Sequence, residues 1–105
     1  MSKEPIRNKD ELMRVLLSQR ETIRSYGVKE LNVFGSFARN EHINKQSDID
    51  FLVEFEEGKK SFDNFIDLNF FLEDLTGRKV ELLTYQSLSQ FIGPHIIKHM
   101  EHVGI

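Results

Sequence analysis

The stretch Val33 to Phe55, VFGSFARNEHINKQSDIDFLVEF, brings together residue types that could act on a phosphorylated substrate. Gly35 lets the backbone turn sharply and approach a ligand closely. If a helical turn follows it, the first amides of that turn have no intrahelical partner and favour an anion, and the Ser36 hydroxyl adds a donor. Asp48 and Asp50 are one residue apart in a strand-forming run, so their side chains point to the same side. Two carboxylates on one face repel each other unless a cation sits between them. Magnesium is bound through one or two carboxylates plus substrate phosphate oxygens, which such a pair provides. A phosphate cradle followed by a metal-binding pair points to nucleotidyl transfer.

A third acid, Glu81, lies in the run Lys79-Val80-Glu81-Leu82-Leu83, on the opposite face from Val80 and Leu82. If that strand lies beside Asp48–Phe55, Glu81 reaches the same cluster, and three carboxylates can bracket two magnesium ions about 3.5–4 Å apart. Arg39 and Lys45 are candidate charge partners for phosphate. Each feature alone has a plainer explanation. Gly-Ser is a common strand-to-helix turn, a lone Asp-X-Asp caps a turn, and Glu81, Arg39 and Lys45 suit a solvated surface. The combination carries the functional reading.

The elements that must position these residues follow from pattern. Asn8 with Glu11 three residues on forms a capping-box signature, and Leu12, Val15, Leu16 and Ile23 recur at helical spacing, so a helix is expected over Lys9–Tyr26, stopped by Gly27. Val28–Phe34 reads as a strand, Ser36–Arg39 as one helical turn and Glu41–Ser47 as a loop. Asp48–Phe55 reads as a second strand, with Ile49, Phe51 and Val53 facing the core. Ser61 caps a helix that Gly77 terminates, Val80–Thr84 is a third strand, and Ser87–His102 holds one or two short helices interrupted by Gly93-Pro94. Residues 1–7 read as a flexible lead. The expected fold class is α/β (α+β): a small mixed sheet with helices packed mainly on one face.

Bulk properties narrow the function. At 105 residues the chain suits a single domain, residues 1–105, with one modest core. No apolar run approaches a membrane span, and the N-terminus lacks the apolar region of a signal peptide, so no membrane association is expected. The absence of cysteine excludes disulfides and thiolate zinc sites and fits a cytoplasmic location. A formal charge of −3 argues against a general nucleic-acid binder, though not against one nucleotide arriving with its metal.

Two other features invite a role. His95, His99 and His102 are spaced to share one face of a helix, as transition-metal sites can be. The usual further ligands are missing, however, and with His42 these side chains read as polar surface or partner contact. The run Phe62–Leu72 is apolar around much of its circumference, and the surplus, Phe70 and Phe71 in particular, suits either a wide core-facing stripe or a partner surface.

Gly35-Ser36-Phe37-Ala38-Arg39 followed by Ser47-Asp48-Ile49-Asp50-Phe51-Leu52-Val53 resembles the minimal nucleotidyltransferases of the DNA polymerase β superfamily, and Lys79–Thr84 with Leu88–Val103 is similar to the C-terminal part of those proteins. The resemblance spans about Lys29 to Val103. It implies a polymerase-β-like nucleotidyltransferase fold. It also implies an antitoxin that transfers AMP from ATP to a tyrosine of a partner HEPN-domain ribonuclease toxin and so silences it. On that resemblance Gly35, Ser36 and Arg39 bind the nucleotide, and Asp48, Asp50 and Glu81 hold magnesium, in two ions, with Glu81 also helping to deprotonate the attacking hydroxyl. An alternative is a catalytically weak or inactive antitoxin of the same fold that neutralises the toxin by direct binding. The chain departs from the family pattern at two positions, with Glu81 where aspartate is usual and Asn40 where glycine is common.

Overall fold

The computed structural model describes residues 4–105. Its elements are α1 (Lys9–Ser18), α2 (Arg20–Ser25), β1 (Val28–Phe34), α3 (Gly35–Arg39), β2 (Ile49–Phe55), α4 (Phe62–Thr76), β3 (Val80–Thr84), a 3-10 turn (Tyr85–Ser87), α5 (Gly93–His99) and β4 (Glu101–His102). The sheet order is β3-β2-β1-β4. β1 pairs antiparallel with β2 and with β4, and β2 pairs parallel with β3.

Alternation divides the sheet into two faces. Leu31, Val33, Ile49, Phe51, Val53, Val80 and Leu82 face the core with Leu12, Leu16, Ile23, Phe37, Leu68, Leu72 and Leu75 from α1–α4. Helices α1–α4 therefore cover one face, in line with helices packed mainly on one side of a mixed sheet. Glu30, Asn32, Asp50, Glu54 and Glu81 occupy the other face by the same alternation.

Local signals hold where they are short-range. Asn8 Oδ1 accepts from Glu11 N at 2.9 Å, and Ser61 Oγ accepts from Asn64 N at 3.1 Å. The Glu11 carboxylate, instead of closing the box on Asn8, accepts from Arg7 N at 3.0 Å. Gly77 ends α4 in the left-handed conformation, φ 69°.

Four expectations are corrected. The helix predicted over Lys9–Tyr26 is two helices, because Ser18 Oγ bonds back to Val15 O at 2.7 Å and Gln19, φ −116° and ψ 21°, leaves helical geometry. The predicted flexible lead is tied down where it is described: Ile6 N donates to Thr76 O at 2.9 Å and Arg78 Nε donates to Ile6 O at 2.6 Å. Met1–Lys3 of that lead lie outside the described residues. Gly93-Pro94 begins α5, with Pro94 in its first turn, instead of interrupting a helix. Glu101–His102 is a strand and not the end of a helix, so His102 leaves the face that His95 and His99 share.

The apolar surplus of α4 divides. Phe71 packs on the core, its ring centroid 5.6 Å from that of Tyr26, whereas Phe70 is 63% exposed. No helix is long and apolar enough to cross a membrane among the described residues.

Candidate active site

The register of the sheet decides which predicted residues meet. Asp50 on β2 stands opposite Phe34 on β1 and beside Glu81 on parallel β3. Gly35 follows Phe34, and the chain turns there with φ 73°. A Cβ on Gly35 would collide with the Asp50 carboxylate. Glycine is thus required here twice, for the turn and for the close approach. Ile49, Phe51 and Val53 are fully buried on the other side, which fixes the face on which Asp50 must emerge.

Asp48 lies one residue before β2 begins and is exposed. Its charge still reaches Asp50. Burial, the neighbouring Glu81 carboxylate, a hydrogen bond shared with Glu81 and the Asp48 charge push the Asp50 carboxyl up from the ordinary 3.8 to about 6, while Arg39 pulls it down. Three acids and one guanidinium are therefore electrostatically coupled at one end of β2.

The donor set fits a divalent cation. No group of three His, Cys, Asp or Glu side chains among the described residues forms a ready-made cage. Magnesium does not require one, since it takes one or two carboxylates with phosphate and water oxygens. The half-buried Asp50 beside two further acids is a site whose own repulsion a cation would relieve.

On the Gly35 side, α3 begins after Phe34, which supplies no side-chain cap, so its first amides have no side-chain partner. Asn40 closes α3 in the left-handed conformation, φ 55° and ψ 41°, and its Oδ1 accepts from Lys9 N at 3.0 Å. Asparagine tolerates this left-handed conformation, and the same side chain binds the turn to α1. Lys45 is not gathered into the cluster. It lines a separate depression with Glu4, Pro5, Arg7 and Arg78.

Arg78 is a residue that sequence reasoning missed. Its guanidinium donates to Asn44 O and Ser47 O, each at 2.8 Å, and lies 5.1 Å from the centre of the Phe37 ring. It thereby braces the loop entering Asp48 against α3. A charged residue directly after a helix-ending glycine was the only hint. A second missed group is Tyr85, whose hydroxyl donates to Glu30 Oε2 at 2.6 Å. That bond, with one from Asn32, holds the Glu30 carboxyl below its usual range, and burial followed by the Glu30 bond pushes the Tyr85 phenol up to about 12.

Residues 16–103 match the nucleotidyltransferase domain family. The chain is 36% identical over 95 residues to the protein adenylyltransferase MntA of Thermococcus cleftensis, covering 90% of this chain and 94% of that one. A solved candidate minimal nucleotidyltransferase superposes with TM-score 0.69 at 30% identity, over 85% of this chain and 93% of its own. A Shewanella oneidensis complex of a tri-AMPylated HEPN toxin with its MNT antitoxin matches with TM-score 0.60 at 15% identity, over 87% of this chain and 71% of that one, a likeness of fold. This chain belongs to the nucleotidyltransferase family, in its minimal branch, and is an enzyme of that class.

Proposed function

We propose that the chain is an antitoxin that transfers AMP from ATP to a tyrosine hydroxyl of a partner HEPN-domain toxin. The observation that carries the reading is the in-register pair Asp50–Glu81 with Gly35 packed against the Asp50 carboxylate. The relatives are named for protein adenylylation and for an AMPylated HEPN toxin in complex with its antitoxin, which supports AMP as the group transferred and a toxin as its acceptor.

Asp48 and Asp50 would hold magnesium, with Glu81 as a third oxygen donor. When bound, the metal supplies charge neutralisation at the phosphates and orients the α-phosphate. Gly35 admits the triphosphate close to the backbone, and Ser36 with the open amides of α3 donates to its oxygens. Arg39, whose charge favours the ionised Asp50 carboxylate, would add positive charge at the same end. Exposed Glu81 would also accept the proton of the incoming hydroxyl. The hydroxyl oxygen forms a bond to the α-phosphorus as the bond to pyrophosphate breaks. The protein's contribution is positioning and preorganised charge.

Incubation with ATP labelled in the adenosine or α-phosphate, magnesium and the cognate toxin tests this. Label should pass to the toxin and disappear with Asp48→Asn combined with Asp50→Asn. Transfer that survives the double substitution rejects the assignment. A double variant that transfers nothing yet still protects cells supports neutralisation by direct binding instead.

A further inference from the structure

Outside the carboxylate cluster, the pair His95 and His99 carries an independent inference. The two residues are one turn apart on α5, and their ring centroids are 4.5 Å apart with the planes tilted by 50°. Both are exposed. Neither makes a hydrogen bond or ion pair with the described residues, whereas His102 lies 3.7 Å from a Glu30 oxygen. Both rings therefore keep their nitrogens for another ligand.

The helix that carries them is held at both ends. Pro94 sets its first turn, Gly93 N donates to Ser89 O at 2.8 Å, Met100 N donates to Ile96 O at 2.9 Å, and β4 follows at once on the edge of the sheet. His99 sits in the last turn, where the helix dipole favours positive charge. Imidazole is a preferred ligand for the late first-row divalent ions and a poor one for magnesium, so such a site would not draw off the magnesium that the carboxylates are proposed to hold.

We propose that His95 and His99 form a two-imidazole chelate for a borderline divalent cation such as Zn2+, with water completing the coordination. The site has two protein ligands and leaves positions open, unlike closed four-ligand structural zinc sites. The reading does not depend on the proposed transferase activity.

Calorimetric titration of the full chain with ZnCl2 in saturating magnesium tests it, alongside His95→Gln, His99→Gln and the double variant. Magnesium competes for the carboxylates, the histidine variants distinguish the imidazole site from them, and circular dichroism checks that the exposed substitutions leave the fold intact. The expected result is one saturable Zn2+ site that each single substitution weakens by about tenfold or more, since even losing a group that only orients a ligand costs roughly that much. Cu2+ used as a spectroscopic probe should show coupling to imidazole nitrogens that the double variant loses. No saturable Zn2+ binding, weakening by only one of the two single substitutions, a double variant that binds within about tenfold of the wild type, or a Cu2+ spectrum without that coupling overturns the proposal.

Discussion

Asp50 and Glu81 stand side by side on adjacent parallel strands, although 30 positions of sequence and a whole helix separate them. The βαβ unit formed by β2, α4 and β3 makes them neighbours. Two carboxylates held this way, one of them half-buried, raise the energy of the ion-free site, and that strain is measurable.

Asp50 should make the metal-free protein sensitive to pH. Its folded-state value, about 6, lies above the ordinary 3.8, so its contribution to folding is complete below about pH 3.8 and is lost as pH rises through about 6. In EDTA, Asp50→Asn should be more stable than wild type at pH 7, by roughly 1 kcal/mol once solvent screening is discounted. The difference should close near pH 4. Thermal melts at both pH values check this, and equal pH dependence in the two proteins refutes it.

Gly35→Ala should be costly for two reasons, and Gly58 separates them. Both glycines have positive φ, 73° and 77°, but nothing lies within 4 Å of a Cβ on Gly58. Gly58→Ala should cost about 1 kcal/mol from backbone strain alone. Gly35→Ala should cost about 1–3 kcal/mol more from the collision with Asp50, and should abolish transfer. Urea unfolding compares them; equal costs count against the close approach.

Glu81→Gln keeps size and removes charge. Because Glu81 is exposed, the fold should be unchanged, while the proposed transfer falls about a hundredfold. The Asp50 carboxyl should titrate lower, since Glu81 is the largest charge raising it. Initial rates and NMR titration of Asp50 report the two effects. An unchanged rate removes Glu81 from the site.

Arg78→Lys should loosen the approach to Asp48 without touching a carboxylate. A lysine cannot bond Ile6, Asn44 and Ser47 carbonyls at once from a planar fork. A loss of about 1–2 kcal/mol in stability and a reduced transfer rate are expected. Hydrogen exchange across 44–48 should quicken, and exchange equal to wild type argues against the brace.

Tyr85→Phe deletes the donor that holds Glu30. The bond is short and goes to a carboxylate, so about 1–2 kcal/mol of stability should be lost. The Glu30 carboxyl should also titrate closer to its usual range, because that bond is the main cause of its lowering. Denaturant melts and an NMR titration of Glu30 test both, and a Glu30 titration unmoved by the substitution contradicts the assignment.

Much of the molecule was determined by local rules that sequence carries openly. Asn8 and Ser61 cap their helices, Gly77 ends one, and the alternation Ile49-Asp50-Phe51 puts the aspartate opposite the core. Asn40 takes the left-handed turn that its residue type permits. These are interactions over one to five residues, so spacing alone reveals them.

What only the tertiary structure decided is long-range. The parallel register that sets Glu81 beside Asp50 depends on how α4 packs, not on either strand's pattern. The two-residue strand β4 has no periodicity to read and exists because β1 offers it an edge. Arg78 came to brace the candidate site through three carbonyls and the ring of Phe37, partners gathered from distant segments. Sequence supplied the chemical groups of the site, and the sheet register and helix packing supplied their distances, because a distance between remote residues is a property of the packed core.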